Sequence, residues 1–261
     1  MIKSTLARED DGTIQINFEV PQKEVNDKKV TVVKEMAKTL TVAGFRKGKV
    51  PVDVAEKNLD PNEVLQHALQ HILPKAFANS IKEHKIKPAI YPKFEITNDK
   101  DPMAIRAITC EILPFDVGDY KKLAQKVSGQ TKDIKEKENK VLEALLESVK
   151  VIIPKVLIEE ELNQRLSSLL SRLEKLGLSL ESYLASVKKT PEELRKSYED
   201  DAKKTIAIEL ILGQIAEKEK IKVDPQKIDE AYLASGVKDE NQKYIIESIL
   251  KKRAVLDSLV S

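Results

Sequence analysis

Apolar and polar residues alternate strictly in the segment Ile14-Gln15-Ile16-Asn17-Phe18-Glu19-Val20, which ends at Pro21. A period of two places the apolar side chains on one face of a β-strand. Asp10-Asp11-Gly12 precedes the segment as a turn, and Ser4 to Arg8 supplies a partner strand. The pattern therefore predicts a β-hairpin.

After the hairpin the spacing of apolar residues becomes helical, from Pro21 to about Thr41. Pro21 suits the first helical position, and the helix is expected to stop near Gly44. Two more helical runs and two strand-like segments follow, at residues 52–58, 62–84, 94–96 and 105–113. Pro74 is expected to kink or split the second run. Residues 1–118 are thus predicted to form an α+β N-terminal domain, with an antiparallel sheet, long helices and a helix-loop-helix tip.

Beyond Tyr120 the sequence has no strand pattern and consists of successive helical segments. Thr190-Pro191-Glu192-Glu193 has the features of a capping box, and it starts a long helix that is expected to reach about Lys220. Further helices are expected at about residues 132–150, 154–176, 225 onward and 241–260. Residues 119–261 are therefore predicted to be an all-α C-terminal domain with extended helical arms.

Composition restricts the function classes. The 261 residues include 45 Lys plus Arg against 43 Asp plus Glu, so the net charge of +2 creates no overall field and any basic site must be local. The single cysteine, Cys110, excludes an internal disulfide and zinc sites that need paired thiolates, and it suits a reducing compartment. Residues 1–11 are charged where a signal peptide needs apolar residues, and no apolar run reaches membrane-spanning length. We expect a soluble, cytoplasmic protein without a membrane partner.

The segment Gly44-Phe45-Arg46-Lys47-Gly48-Lys49-Val50-Pro51 is a basic loop bracketed by glycines. Arginine can fork onto phosphate oxygens, lysine can act as a point charge, and the aromatic ring can stack or enter a partner's pocket. A solvated turn with Phe45 folded into its own core is equally compatible with the composition. Nucleotide binding is not, because the glycine spacing is one residue short of the phosphate-binding loop and Val50 replaces its hydroxyl residue.

No residue pattern indicates catalysis, and we expect no metal or cofactor. His67 and His71 have the spacing of two metal ligands on a helix, but Ala68 occupies the place of the glutamate that a metalloprotease needs, so surface histidines are expected. Cys110 is expected to be a buried structural thiol.

The helices of the second half carry broad stripes of leucine and isoleucine. In an open arrangement these stripes would leave apolar surface for another polypeptide, whereas a closed bundle would use every stripe internally. The sequence leaves both arrangements open. Candidate residues for binding unfolded polypeptide are Leu162, Leu166, Leu169, Leu173, Tyr183, Ile245, Ile249 and Leu256.

The basic loop resembles the signature loop of trigger factor, the bacterial ribosome-associated chaperone. Leu73-Pro74-Lys75-Ala76 and Gly118-Asp119-Tyr120 resemble later parts of that family's ribosome-binding domain, and the segments from Gly177 to Leu184 and from Thr190 to Leu194 resemble its chaperone domain. The resemblance covers nearly the whole chain. It implies a ribosome-binding domain at 1–118 and a helical chaperone domain at 119–261.

The resemblance also implies partners and roles. Gly44, Phe45, Arg46, Lys47, Gly48 and Lys49 would dock on an exit-site ribosomal protein and adjacent ribosomal RNA. The helical half would hold unfolded or nascent polypeptide without ATP, and a homodimer away from the ribosome is compatible with the family. The family usually has a peptidyl-prolyl isomerase domain between the two parts, but residues 121–132 leave no room for one. We therefore expect no enzyme activity.

Two other functions remain open at this stage. One is a non-chaperone assembly protein whose helical half binds a single folded partner. The other is residual isomerase activity on Xaa-Pro bonds, for which the family habit is the only basis.

Overall fold

The chain divides into two compact units, Met1–Glu111 and Ile112–Ser261. The structure is a computed structural model that describes residues 2–129, 131–236, 239 and 242–260. Each unit has a hydrophobic core of its own. The first is α+β and the second is all-α within the described residues, as the sequence predicts.

The first unit is built on a four-stranded antiparallel sheet in the order β1-β2-β4-β3. Its strands are β1 (Lys3–Arg8), β2 (Thr13–Val20), β3 (Lys93–Asn98) and β4 (Met103–Cys110). The predicted hairpin is confirmed: in β2, Ile16 lies opposite Leu6 of β1 and Ala107 of β4. The alternating residues of β2 that the sequence places on one face are all buried, because that face packs on the helices.

Three helices belong to this unit: α1 (Gln22–Met36), α2 (Val52–Asn58) and α3 (Pro61–His84). Pro21 precedes the first helical residue of α1 instead of occupying that position. The split expected at Pro74 does not occur, since α3 runs continuously through it. On both sides of Pro74, α3 buries apolar residues in the core shared with the sheet: Ile72, Leu73, Ala76 and Phe77. This packing holds the helix together where the proline removes a backbone hydrogen bond.

The second unit contains seven helices within its described residues. They are α4 (Tyr120–Ser128), α5 (Ile134–Ser148), α6 (Lys155–Lys175), α7 (Leu180–Val187), α8 (Pro191–Lys218), α9 (Pro225–Ser235) and α10 (Lys243–Val260). The helix α4 precedes the first helix expected from the sequence, at about residues 132–150. Asn241, the expected start of the last helix, lies outside the described residues. The capping box at α8 is confirmed: the Thr190 N–H donates to Glu193 Oε2 at 2.9 Å, and the Glu193 N–H donates to Thr190 Oγ1 at 3.2 Å.

The core of the second unit joins α4, α5, α10 and the C-terminal half of α8. Val117 is buried in this core and Phe115 packs against it. Residues 112–118 therefore belong to the second unit, and the second unit begins seven residues before the expected boundary. Tyr120 ties α4 to the end of α8 by donating its hydroxyl proton to Glu219. Burial and this hydrogen bond raise the pKa of Tyr120 to about 12.

A second group of helices pairs α6 with the N-terminal half of α8. The two helices run antiparallel, since the Arg165 guanidinium donates to the Thr205 hydroxyl at 2.9 Å while Arg172 and Tyr198 line one cavity. Few residues along this pair of helices are buried. They are Leu162, Leu173, Leu194, Ala202 and Ile206. The paired helices therefore cover one side of each other and leave other sides of α6 exposed.

Candidate functional site

The residues of the basic loop that are expected to dock, 44–49, lie next to a small apolar cluster between α1, α2 and α3. Leu40 and Val42 pack against this cluster before the loop, and Val50 is buried in it after the loop. The cluster itself is formed by Val32, Val33, Ala37, Val50, Ala55, Val64 and Ala68. Because both ends of the loop are anchored in one cluster, its tip is held at a defined position on the first unit.

The two glycines shape the loop through left-handed backbone conformations. Gly44 has φ = +86° and Gly48 has φ = +79°, values that side-chain-bearing residues rarely adopt. Two turns accompany them: the Phe45 N–H donates to the Val42 carbonyl at 3.1 Å, and the Lys49 N–H donates to the Arg46 carbonyl at 2.9 Å. A Cβ at Gly48 would lie 3.3 Å from the Lys38 carbonyl oxygen, so the loop also packs closely on the residues that follow α1.

The side chains at the tip are available to a partner. Arg46, Lys47 and Lys49 are exposed, and among the described residues none of them forms an ion pair or a side-chain hydrogen bond. Phe45 is 40% exposed, so its ring is not folded into the core of the first unit. The tip therefore combines three free cations with an accessible aromatic ring, which suits an anionic partner with a pocket or a stacking surface.

Three of the candidate residues for binding unfolded polypeptide are interior. Leu162, Leu173 and Leu256 are buried at 1%, 5% and 8% exposure. Leu162 and Leu173 are the buried residues of α6, and Leu256 of α10 belongs to the core of the second unit. We correct their assignment: they stabilise helix packing and present no surface to a partner.

The other five candidates retain some exposure. Leu166, Leu169 and Tyr183 are half-buried, and Ile245 and Ile249 are exposed on α10. Their role in binding polypeptide stays a prediction.

The structure adds exposed apolar residues that sequence reasoning missed. They are Leu170, Leu176 and Leu178 around the end of α6, together with Leu233 on α9 and Tyr244 on α10. The signal available in the sequence is Leu176-Gly177-Leu178, where a glycine marks the end of a helix that carries an apolar stripe. In the structure Leu176 is the C-cap residue of α6, and Gly177 has φ = +66°.

The histidines and the cysteine do not form a chemical site. His71 Nε2 lies 3.6 Å from Glu35 Oε2 as a surface pair, and His67 is exposed. Cys110 is buried, and burial raises the pKa of its thiol to about 11. In the described part of the chain, no group of three or more His, Cys, Asp or Glu residues could hold a metal ion.

None of the described helices combines the length and the apolar character that crossing a bilayer requires.

The same fold occurs in a solved structure that concerns promiscuous substrate recognition in folding and assembly activities of the trigger factor chaperone. The two structures match with a TM-score of 0.56 over 99% of both chains, at 13% sequence identity. A family model of the bacterial trigger factor protein matches residues 2–145, and the model of its C-terminus matches residues 120–261. The chain belongs to the trigger factor family.

Curated relatives match one part of the chain. The trigger factor of Natranaerobius thermophilus is 30% identical over 125 residues, which is 47% of this chain and 28% of that protein. The trigger factor of Bacillus mycoides is 35% identical over 128 residues, 48% of this chain and 30% of that protein. In these matches the chain spans less than a third of the relatives' length.

Proposed function

We propose that this chain is an ATP-independent molecular chaperone that docks at the nascent-chain exit of the ribosome and shelters unfolded polypeptide on its second unit. The observation that carries the proposal is the basic loop, anchored at both ends with its cations unpaired. Arg46 would fork onto phosphate oxygens of ribosomal RNA, Lys47 and Lys49 would act as point charges, and Phe45 would enter a pocket of an exit-site ribosomal protein.

Co-sedimentation with ribosomes tests the docking. The variant Phe45→Ala/Arg46→Ala/Lys47→Ala is expected to lose binding. A matched control is Tyr91→Ala/Lys82→Ala/Lys87→Ala, which removes one exposed ring and two exposed cations from the same unit, and it is expected to bind like the unmodified protein. If both variants bound ribosomes like the unmodified protein, the loop would not be the docking site.

The surface proposed for unfolded polypeptide has two parts. Leu170, Leu176 and Leu178 form one part at the end of α6, and Tyr244 and Ile249 belong to the other on α10. Exposed apolar side chains with charged residues around them can hold varied segments weakly, without a chemical energy source. Suppression of aggregation of several unrelated denatured proteins is the expected result. Binding to a single folded partner alone would favour the assembly-protein alternative.

We further propose that the chain has no isomerase activity. In support, the two family models overlap at residues 120–145, and α4 begins ten residues after β4 ends. A proline-limited refolding assay is expected to show no acceleration at substoichiometric protein. We also expect the protein to be cytoplasmic. A homodimer away from the ribosome is a separate expectation, and sedimentation analysis without ribosomes would test it.

A further inference from the structure

The positive charge of the first unit extends beyond the basic loop. Residues 34–49 contain five cationic side chains, Lys34, Lys38, Arg46, Lys47 and Lys49, and one carboxylate, Glu35. This segment of 16 residues therefore has a charge of +4, whereas the rest of the chain has a net charge of −2. The concentration of positive charge in one segment marks it as a surface for an anionic partner.

The fold brings Lys34 and Lys38 to the base of the loop. Lys34 lies in the last turn of α1, and Lys38 follows in the turn after it. The close approach of the Lys38 carbonyl to Gly48 joins this turn to the loop. Both side chains are exposed, and the described residues supply neither of them with an ion pair or hydrogen bond. The only carboxylate of the segment, Glu35, lies 3.6 Å from His71.

We propose that Lys34 and Lys38 extend the docking surface along the end of α1, and that this extended surface binds the phosphate backbone of RNA. The inference rests on the proposed ribosome docking and adds two residues to the docking surface. Five exposed cations in a segment with one carboxylate match a line of phosphates, each of which carries a full negative charge. The accessible ring of Phe45, which precedes Arg46 in the chain, adds a face on which an unpaired base can stack, and this favours RNA over an acidic protein surface.

The salt dependence of binding provides the test. Phosphate contacts release counterions, so each lysine that touches a phosphate contributes about 1 to the slope of log affinity against log salt concentration. The variant Lys34→Gln/Lys38→Gln is expected to reduce the slope for ribosomes by about 2 between roughly 50 and 200 mM salt. Its matched control, Lys82→Gln/Lys87→Gln, removes two exposed lysines near the other end of α3 and is expected to leave the slope unchanged.

The possible failures can be told apart. If the loop triple variant loses ribosome binding but the Lys34/Lys38 variant keeps the full slope, the docking proposal stands and the extended surface is wrong. If the unmodified protein does not bind ribosomes, the docking proposal fails, and a fluorescent single-stranded RNA of about 20 nucleotides tests the surface alone by the same comparison of slopes. Displacement from ribosomes by polyglutamate but not by this single-stranded RNA would identify an acidic protein partner and overturn the inference.

Discussion

At the scale of single residues, the basic loop depends on two glycines in different surroundings. Both have left-handed φ values, but a Cβ at Gly44 would meet no atom within 4 Å, whereas at Gly48 it would press on the Lys38 carbonyl. The backbone conformation disfavours side chains at both positions. Packing disfavours a side chain at Gly48 and not at Gly44.

We therefore predict that Gly48→Ala destabilises the protein more than Gly44→Ala. Each substitution forces an alanine into a left-handed conformation, which costs about 1–2 kcal/mol. Gly48→Ala adds the contact with the Lys38 carbonyl. Urea unfolding measures both variants, and an equal or smaller loss for Gly48→Ala would show that the loop does not pack on Lys38 as described.

Cys110 gives a second residue-scale prediction. Burial, with a smaller contribution from Asp11, raises the pKa of its thiol from 9.0 to about 11. Between these values the folded protein keeps a proton that the unfolded chain loses. The corresponding stability is complete below pH 9 and is lost as the pH rises through 11.

At about pH 8, Cys110 in the folded protein is expected to react with a disulfide reagent far more slowly than in denaturant, because the thiolate is the nucleophile and the site is buried. In Cys110→Ala, stability should fall less between pH 9 and pH 11 than in the unmodified protein. Rapid labelling of the folded protein would contradict the burial of this residue.

At the scale of elements, α6 separates two roles that its sequence does not distinguish. Leu162 and Leu170 are both apolar residues of this helix, yet Leu162 is buried at 1% exposure and Leu170 is 49% exposed. Leu162 stabilises the packing of α6, and Leu170 belongs to the proposed surface for unfolded polypeptide.

Leu162→Ala is accordingly expected to reduce the free energy of unfolding by about 2–5 kcal/mol, as for other buried leucines. Leu170→Ala should change it by less than about 0.5 kcal/mol, as for an exposed position, while weakening suppression of aggregation. Urea unfolding and light scattering of a denatured test protein measure the two effects. Equal destabilisation by both variants would refute the division of roles.

For the whole molecule, the important feature is that each unit has its own hydrophobic core. The basic loop belongs to the first unit, and the exposed leucines near the end of α6 belong to the second. The two surfaces therefore belong to units that are packed around separate cores.

We predict that docking and sheltering can be removed separately. Phe45→Ala/Arg46→Ala/Lys47→Ala should lose ribosome binding and keep full suppression of aggregation. Leu170→Ser/Leu176→Ser/Leu178→Ser should bind ribosomes normally and lose much of the suppression. If either variant lost both activities while remaining folded by circular dichroism, the two surfaces could not be independent.

Much of this architecture follows from local sequence. The alternation of Ile14, Ile16 and Phe18 and the capping box at Thr190 predict a strand and a helix start that the structure confirms, because both depend on neighbouring residues alone. The glycine-bracketed cations likewise indicate an exposed loop. Of the kink or split expected at Pro74, the split is absent because tertiary packing on both sides holds α3 continuous.

The sequence by itself predicted an α+β part followed by an all-α part, most of the helices and strands, and the loop that concentrates positive charge, since these are properties of residue order. Only the tertiary structure decided that Leu162, Leu173 and Leu256 are interior while Leu170 and Leu176 are exposed. A helical stripe defines the side of a helix that is apolar, but burial depends on whether another helix covers that side. Such coverage arises from contacts between residues far apart in the chain, which no local pattern records.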